Sequence, residues 1–190
     1  ENYLDDIKSV IEQSTFTYVR QRHMLGLGNA ILTGEPLIGN EPFAVILADD
    51  LCDCGENGMT SQLIEIYNKY QCSVVAVEEV PFTQSEQYGI ISGDLIDGTN
   101  NTYRVVNMIE KPNSQDLIEF EKDQVNLDKT PSILAIIGRY ILTPDIFEFL
   151  RNIKSNNGNE IQITDALLAQ ANQGKVIAYK FNGKRFDCGS

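Results

Sequence analysis

The chain has 190 residues, enough for one domain with a substantial core and no need of disulfide staples. Its 27 acidic residues against 15 basic ones leave a formal net charge of −12, so a nucleic-acid backbone would meet a repulsive field over most of the surface. No apolar run approaches the roughly 18 residues of a membrane helix, and the N-terminus lacks a basic-then-apolar leader pattern. Cys52, Cys54, Cys72 and Cys188 match no zinc spacing and read as free thiols, so a soluble cytoplasmic protein with neither nucleic acid nor membrane as partner is expected.

Leu4, Ile7, Val10 and Ile11 recur at helical spacing and predict an amphipathic helix over residues 3 to 13. Phe16 to Val19 is an apolar strand candidate, and "GLGNAIL" from Gly26 turns from loop to helix. Two glycines there suggest a dinucleotide cradle. Ile31, however, stands where G-x-G-x-x-G needs its third glycine, and six residues separate the first glycine from the strand candidate. "FAVILA", Phe43 to Ala48, is a continuous apolar run of the kind buried on both faces of a parallel sheet, and it stops at Asp49-Asp50. Met59, Leu63, Ile66, Tyr67 and Tyr70 predict a helix over 59 to 70, and "SVVAVEEV" from Ser73 is the next strand, which completes a βαβ unit.

"YGIIS" from Tyr88 and "YRVVNMI" from Tyr103 flank the turn Asp97 to Asn101 and predict a hairpin. A polar excursion with a short helix covers Asn113 to Thr130, and "SILAIIGRYIL" from Ser132 is a strand. Thr143 and Pro144 are expected as N-cap and first helical position of "DIFEFL", with a stop at Asn156-Asn157-Gly158. A helix over Glu160 to Ala171 ends at Gly174, and "KVIAYKF" from Lys175 is the last strand. Alternating helices and apolar strands argue for a three-layer α/β domain, mostly parallel, with ligands outside the carboxyl ends of the strands.

Four features fall at or after strand ends: Gly26 with Gly28, Asp49-Asp50, Glu110-Lys111-Pro112, and Asp187-Cys188-Gly189. With "GLGNAIL", "VILADD", "QYGII", "VVNMIEKP", "AIIGRYIL", "NEIQITDAL" and "FDCG", the chain from about residue 19 onward resembles the sugar-nucleotide pyrophosphorylases, most closely the bacterial UTP–glucose-1-phosphate uridylyltransferases. That resemblance implies a Rossmann-like nucleotide-diphospho-sugar transferase fold and synthesis of UDP-glucose and pyrophosphate from UTP and glucose 1-phosphate. It also implies Mg²⁺ held by Asp49 and Asp187, the hard carboxylate oxygens that this cation prefers.

By the same resemblance the loop with Gly26 and Gly28 approaches the nucleotide base, and Gln21 hydrogen-bonds the pyrimidine edge. Gly89 lets backbone meet a sugar hydroxyl, Glu110 accepts from sugar hydroxyls, Lys111 offers a point charge to the sugar phosphate, and Ile136 packs in the core or lines the sugar pocket. Asp49, Lys111 and Asp187 are then the catalytic set. Asp50 is expected to face solvent, and Glu160 and Asp165 to cap and brace their helix. His23, the single histidine, reads as a loop residue, because a sugar phosphate is already an anion and needs no general base.

The family's G-x-G-T-R loop and proline-lysine element are absent from these 190 residues, as are its C-terminal helices. Residues 1–190 are thus expected to be a single nucleotidyltransferase domain in incomplete form, able to bind product without turning over, with homo-oligomers possible for a full-length protein. Other readings are an enzyme for dTTP, CTP or ATP, a non-catalytic sugar-nucleotide binding module, and a dinucleotide oxidoreductase using Glu78 or Glu79 at the ribose, against which the missing third glycine speaks.

Overall fold

The computed structural model of the chain describes residues 3–122, 132–153 and 160–189. Helices α1 (Tyr3–Glu12), α2 (Gly26–Thr33) and α3 (Glu35–Ile38) come first, followed by strands β1 (Phe43–Ile46) and β2 (Asp50–Asp53) and helix α4 (Met59–Tyr70). Strand β3 (Ser73–Pro81) leads through a 3₁₀ turn to the hairpin β4 (Gly89–Leu95) and β5 (Thr102–Glu110). Helix α5 (Ser114–Lys122), strand β6 (Ser132–Leu142), helices α6 (Ile146–Asn152) and α7 (Ile163–Ala171), and strands β7 (Val176–Lys180) and β8 (Lys184–Asp187) complete the order. No helix among the described residues is long and apolar enough to cross a membrane.

Six strands form one sheet in the order β1-β6-β3-β7-β5-β4, with β4 also touching β6, while β2 and β8 make a separate two-stranded ribbon. The α/β class is as expected, but "mostly parallel" needs correction. Strands β1, β3, β4 and β7 run one way, yet β5 and β6 are interleaved with them, so β3 and β7 are the one parallel pair of neighbours among the described residues.

Alternation of side chains across the pleat explains the layers. Val75 and Val77 of β3 point into a core with Ile31, Phe147, Leu150 and Leu167 from α2, α6 and α7, whereas Val74 and Ala76 meet Met59 and Leu63 of α4 on the other face. Leu117 and Phe120 of α5 cover the far end of that second face over Val80, Ile90 and Ile133. Each fully buried aliphatic side chain in these layers contributes about 1.5–3 kcal/mol.

Strand β1 departs from the expectation of two buried faces. Phe43 and Val45 pack against the helices, but Ile46 is 55% exposed, because α4 lies over β3 and β6 and stops short of β1. The strand candidate Phe16 to Val19 forms no strand. Its apolar side chains are exposed, and an extended segment without a ladder partner gains nothing from pairing. Thr143 caps no helix with its side chain: α6 begins at Ile146, and the threonine hydroxyl instead bonds Ser73 and Asp145. Helix α7 starts three residues later than Glu160, at Ile163, and the stop at Asn156 to Gly158 lies outside the described residues.

Phe43 and Phe147 stack with ring centroids 5.2 Å apart and planes 3° from parallel, and this contact ties edge strand β1 to α6. Phe147→Ala is expected to cost about 3–5 kcal/mol, seen as a lower urea midpoint at unchanged slope. A loss under about 1 kcal/mol would show that the stack does not anchor β1.

Candidate functional site

One edge of β6 is given to β3, and the other is shared: β1 pairs with Arg139 to Leu142, while β4 pairs with Leu134 and Ala135. Between these partners lie Ile136, Ile137 and Gly138, and above them opens a cleft of about 340 Å³. The carboxyl ends of β1, β5 and β8 and the amino end of β4 deliver its walls, the place where open α/β sheets commonly bind ligands.

At one end stand the two aspartates singled out as cation ligands. The β2–β8 ribbon sets Asp50 opposite Asp187, and the Cys188 N–H donates to the Asp49 carbonyl at 2.8 Å. A methyl group placed on Gly189 would lie 3.1 Å from Asp49 Oδ2 and 3.3 Å from Asp187 Oδ1, so both carboxylates close over the same bare α-carbon. Their donor set is hard oxygen, and no group of three or more metal-ligating side chains exists among the described residues. Asp49 and Asp187 are the residues that could hold a divalent cation here, since carboxylate oxygens are the ligands that Mg²⁺ prefers.

Asp50 does not face solvent. It is 6% exposed, accepts the Gly138 N–H through Oδ2 at 2.6 Å, and pairs through Oδ1 with Arg185. The Arg185 guanidinium also reaches Glu78 at 2.9 Å, the Tyr88 hydroxyl at 3.2 Å and Asp187 at 3.3 Å. Burial disfavours its charge, but the hydrogen bonds to Tyr88, Asp50 and Glu78 and the Asp50 charge outweigh that and hold its pKa above the ordinary value. Arg139 grips the same loop from behind, donating to the carbonyls of Leu47, Gly138 and Asp50.

At the other end Gly89 sits opposite Glu110 across the hairpin, and a methyl group on it would lie within 3.1 Å of Ile136, Thr164 and Glu110. Absence of a side chain there keeps the floor open. Burial pushes the Glu110 carboxyl up from its ordinary 4.5, against the opposing pull of a 3.1 Å hydrogen bond from Thr164 and the Lys111 charge. Lys111 takes a left-handed backbone at φ 43°, and its N–H donates to the Tyr88 carbonyl at 3.0 Å. A non-glycine residue in that region costs about 1–3 kcal/mol and is kept where surrounding structure dictates it, commonly at functional sites.

Asp49, Gly89, Glu110, Lys111, Ile136 and Asp187 thus line one cleft. Gln21, Gly26 and Gly28 do not. Gln21 donates to the Gly26 carbonyl and to Asn29, and the glycine loop packs on Ile161, whose carbonyl accepts the Gly28 N–H at 2.9 Å. A methyl group on Gly28 would come within 2.6 Å of that carbonyl, a local reason for glycine independent of any ligand. Leu27 carries this loop to the cleft wall, and Glu160, expected only to brace α7, lines the cleft as well. Sequence reasoning also missed Thr164, Tyr88 and Arg185. Thr164 lay in plain view within "NEIQITDAL", whereas Arg185 gains its place only through the β2–β8 pairing.

A cleft at the strand ends of an α/β sheet, walled here by carboxylates and a lysine, is where domains of this architecture commonly bind ligands. The nucleotidyl transferase family profile matches residues 1–190, and the chain belongs to that family. It is 50% identical to a UTP–glucose-1-phosphate uridylyltransferase of Pseudomonas aeruginosa, covering 100% of this chain and 63% of that protein. With the corresponding protein of Staphylococcus haemolyticus it shares 41% identity over 97% of this chain and 60% of that one. A crystal structure of a UDP-glucose pyrophosphorylase complexed with UDP-glucose superposes with a TM-score of 0.85 at 52% identity, covering 98% of this chain and 66% of that one. The chain therefore spans about 63% of the length of the P. aeruginosa relative.

The raised Glu110 pKa means that the folded chain holds this proton more tightly than the unfolded chain does. Ionisation of Glu110 thus leaves stability untouched below about pH 4.5 and subtracts from it as pH rises through the folded value. Glu110→Gln is expected to raise the melting temperature at pH 7 by more than at pH 4. A gain that grows on acidification would contradict this burial effect.

Proposed function

We propose that this protein acts in the synthesis of UDP-glucose, as a UTP–glucose-1-phosphate uridylyltransferase. The observation that carries the reading is the pairing of Asp49 and Asp187 at one end of a cleft with Glu110 and Lys111 at the other, in a chain half identical to enzymes of that name. The phosphate oxygen of glucose 1-phosphate attacks the α-phosphorus of UTP in line, a new P–O bond forms, and pyrophosphate leaves with the electron pair of the broken one.

The surroundings of each residue support the role proposed for it. Glu110, held by Thr164, accepts from sugar hydroxyls above Gly89, and Lys111 on its fixed backbone sets an ammonium beside the sugar phosphate. Leu27 brings the Gln21 to Gly28 loop to the wall, which supports placing the uracil there. The cleft presents five carboxylates, Asp49, Asp50, Glu110, Glu160 and Asp187, against the two cations Lys111 and Arg185. A polyphosphate enters such a field only with a cation, which Asp49 and Asp187 are suited to hold; Mg²⁺ there would offset charge developing in the transition state. Four cysteines without disulfides agree with a cytoplasmic setting.

In a full-length protein that carries this domain, Asp49→Asn and Asp187→Asn are each expected to lower Mg²⁺-dependent turnover about 10²-fold or more, measured as pyrophosphate release. Wild-type rates for either variant would remove the cation assignment. Lys111→Ala should raise the KM for glucose 1-phosphate while leaving that for UTP unchanged, and a change confined to UTP would exchange the two subsites. Calorimetry with UDP-glucose on the 190-residue chain separates binding from turnover, and UDP-glucose failing to bind more tightly than dTDP-, CDP- or ADP-glucose would assign another nucleotide.

A further inference from the structure

Arg185 stands outside the roles assigned above, yet its side chain is 9% exposed in a place crowded with acid. Its Nε pairs with Asp50 Oδ1, Nη1 serves both Glu78 and the Tyr88 hydroxyl, and Nη2 reaches Asp187 Oδ2. The guanidinium also lies 5.2 Å from the centre of the Tyr88 ring. It therefore joins β8 to β2, to β3 and to the residue preceding β4. A planar fork reaches partners in these several directions, which a lysine ammonium, a single point with three donors, does not.

Taken as a bare charge, Arg185 would repel any cation at Asp187 and weaken the site. Geometry supplies the opposite effect. Asp187 is 45% exposed, with Oδ2 held on the inner side by Arg185 and Oδ1 accepting the Gly189 N–H at 2.9 Å. Each carboxylate oxygen can accept a second interaction, and Asp187 Oδ1 and Asp49 Oδ2 both lie within 3.3 Å of the point where a methyl group on Gly189 would stand. Residues that orient a metal ligand from behind commonly change metal affinity by about 10–100-fold when altered.

We propose that Arg185 is a positioning residue: by tying Asp187 to Asp50, Glu78 and Tyr88, it holds the Asp187 carboxylate facing Asp49 as half of a divalent-cation site. The proposal rests on Asp49 and Asp187 being the cation ligands, and its test keeps the two ideas apart. Mn²⁺ is titrated into the protein without nucleotide, with free Mn²⁺ followed by electron paramagnetic resonance and bound Mn²⁺ by water-proton relaxation. Near-ultraviolet circular dichroism and melting temperature confirm that each variant is folded.

Arg185→Lys and Tyr88→Phe preserve every formal charge, so any change in Mn²⁺ affinity is geometric. Arg185→Lys is expected to weaken Mn²⁺ binding about tenfold or more, as loss of an orienting partner does. Tyr88→Phe removes one of the four hydrogen bonds and is expected to weaken Mn²⁺ binding by a smaller factor. Wild-type affinity in both variants, or tighter binding in Arg185→Gln, would overturn the proposal and leave Arg185 a plain counter-charge. Should Arg185→Lys fail to fold, Tyr88→Phe decides alone. Equal binding by wild type and Asp187→Asn would instead bring down the cation assignment beneath it.

Discussion

Strand β6 gives one edge to β3, with a register shift between the Val75 and Val77 pairings, and divides the other between β1 and β4, and the interval between those partners leaves backbone groups that a ladder would have satisfied. Buried peptide groups cannot remain unpaired without a cost of about 1–3 kcal/mol each. At Gly138 the carbonyl is met by the Leu47 N–H and the N–H by the Asp50 carboxylate. A charge drawn inward to serve a peptide group then needs a counter-charge, which Arg185 supplies. The break in pairing thus gives rise in turn to the cleft, the buried aspartate and the arginine beside it.

This order of causes explains what could be seen in the sequence. Asp49, Gly89, Glu110 and Lys111 each sit next to an apolar strand run within a short motif, and the family resemblance of "FDCG" marks Asp187 with them. Arg185 carries no such mark and Asp50 shares that of Asp49 without any sign of burial, since β2 and β8 are four-residue strands rich in charge that pair only with each other among the described residues. Neighbouring residues say nothing about Asp50 being buried, because its burial follows from a gap in pairing around Gly138, 88 positions away. The two faces of β1 were misjudged for a related reason: apolar content announces a strand, but which faces are covered depends on how far α4 extends across the sheet.

The glycines of "GLGNAIL" show how one sequence feature serves two masters. Close packing on Ile161 already demands small residues there, so their presence alone never distinguishes a ligand cradle from a tight crossing of two chain segments. Position relative to the cleft is the better guide, and by that measure Leu27 stands closer to the chemistry than its glycine neighbours. The acidic surface has a parallel lesson. On the proposed reading, net charge discourages bare polyphosphates and favours cation-paired ones, which couples ligand approach to the cation itself.

The ribbon that brings Asp187 to Asp49 joins parts of the chain far apart in sequence, with Asp50 and Arg185 separated by 135 residues. Such long-range closures raise contact order and slow folding, because chain entropy must be lost before the contacts form. Strand β8 also pairs with nothing but β2 among the described residues, while the core clusters lie in the main sheet and its helices. Peeling β8 away would leave most of the apolar layers in place, yet it would remove Asp187, Arg185 and the tether on Asp49 in a single opening. Such local openings need less free energy than global unfolding and are frequent where backbone bonds are few and exposed. An opening confined to β8 would therefore dismantle the Asp49–Asp187 end of the cleft while the main sheet and its helices stay folded.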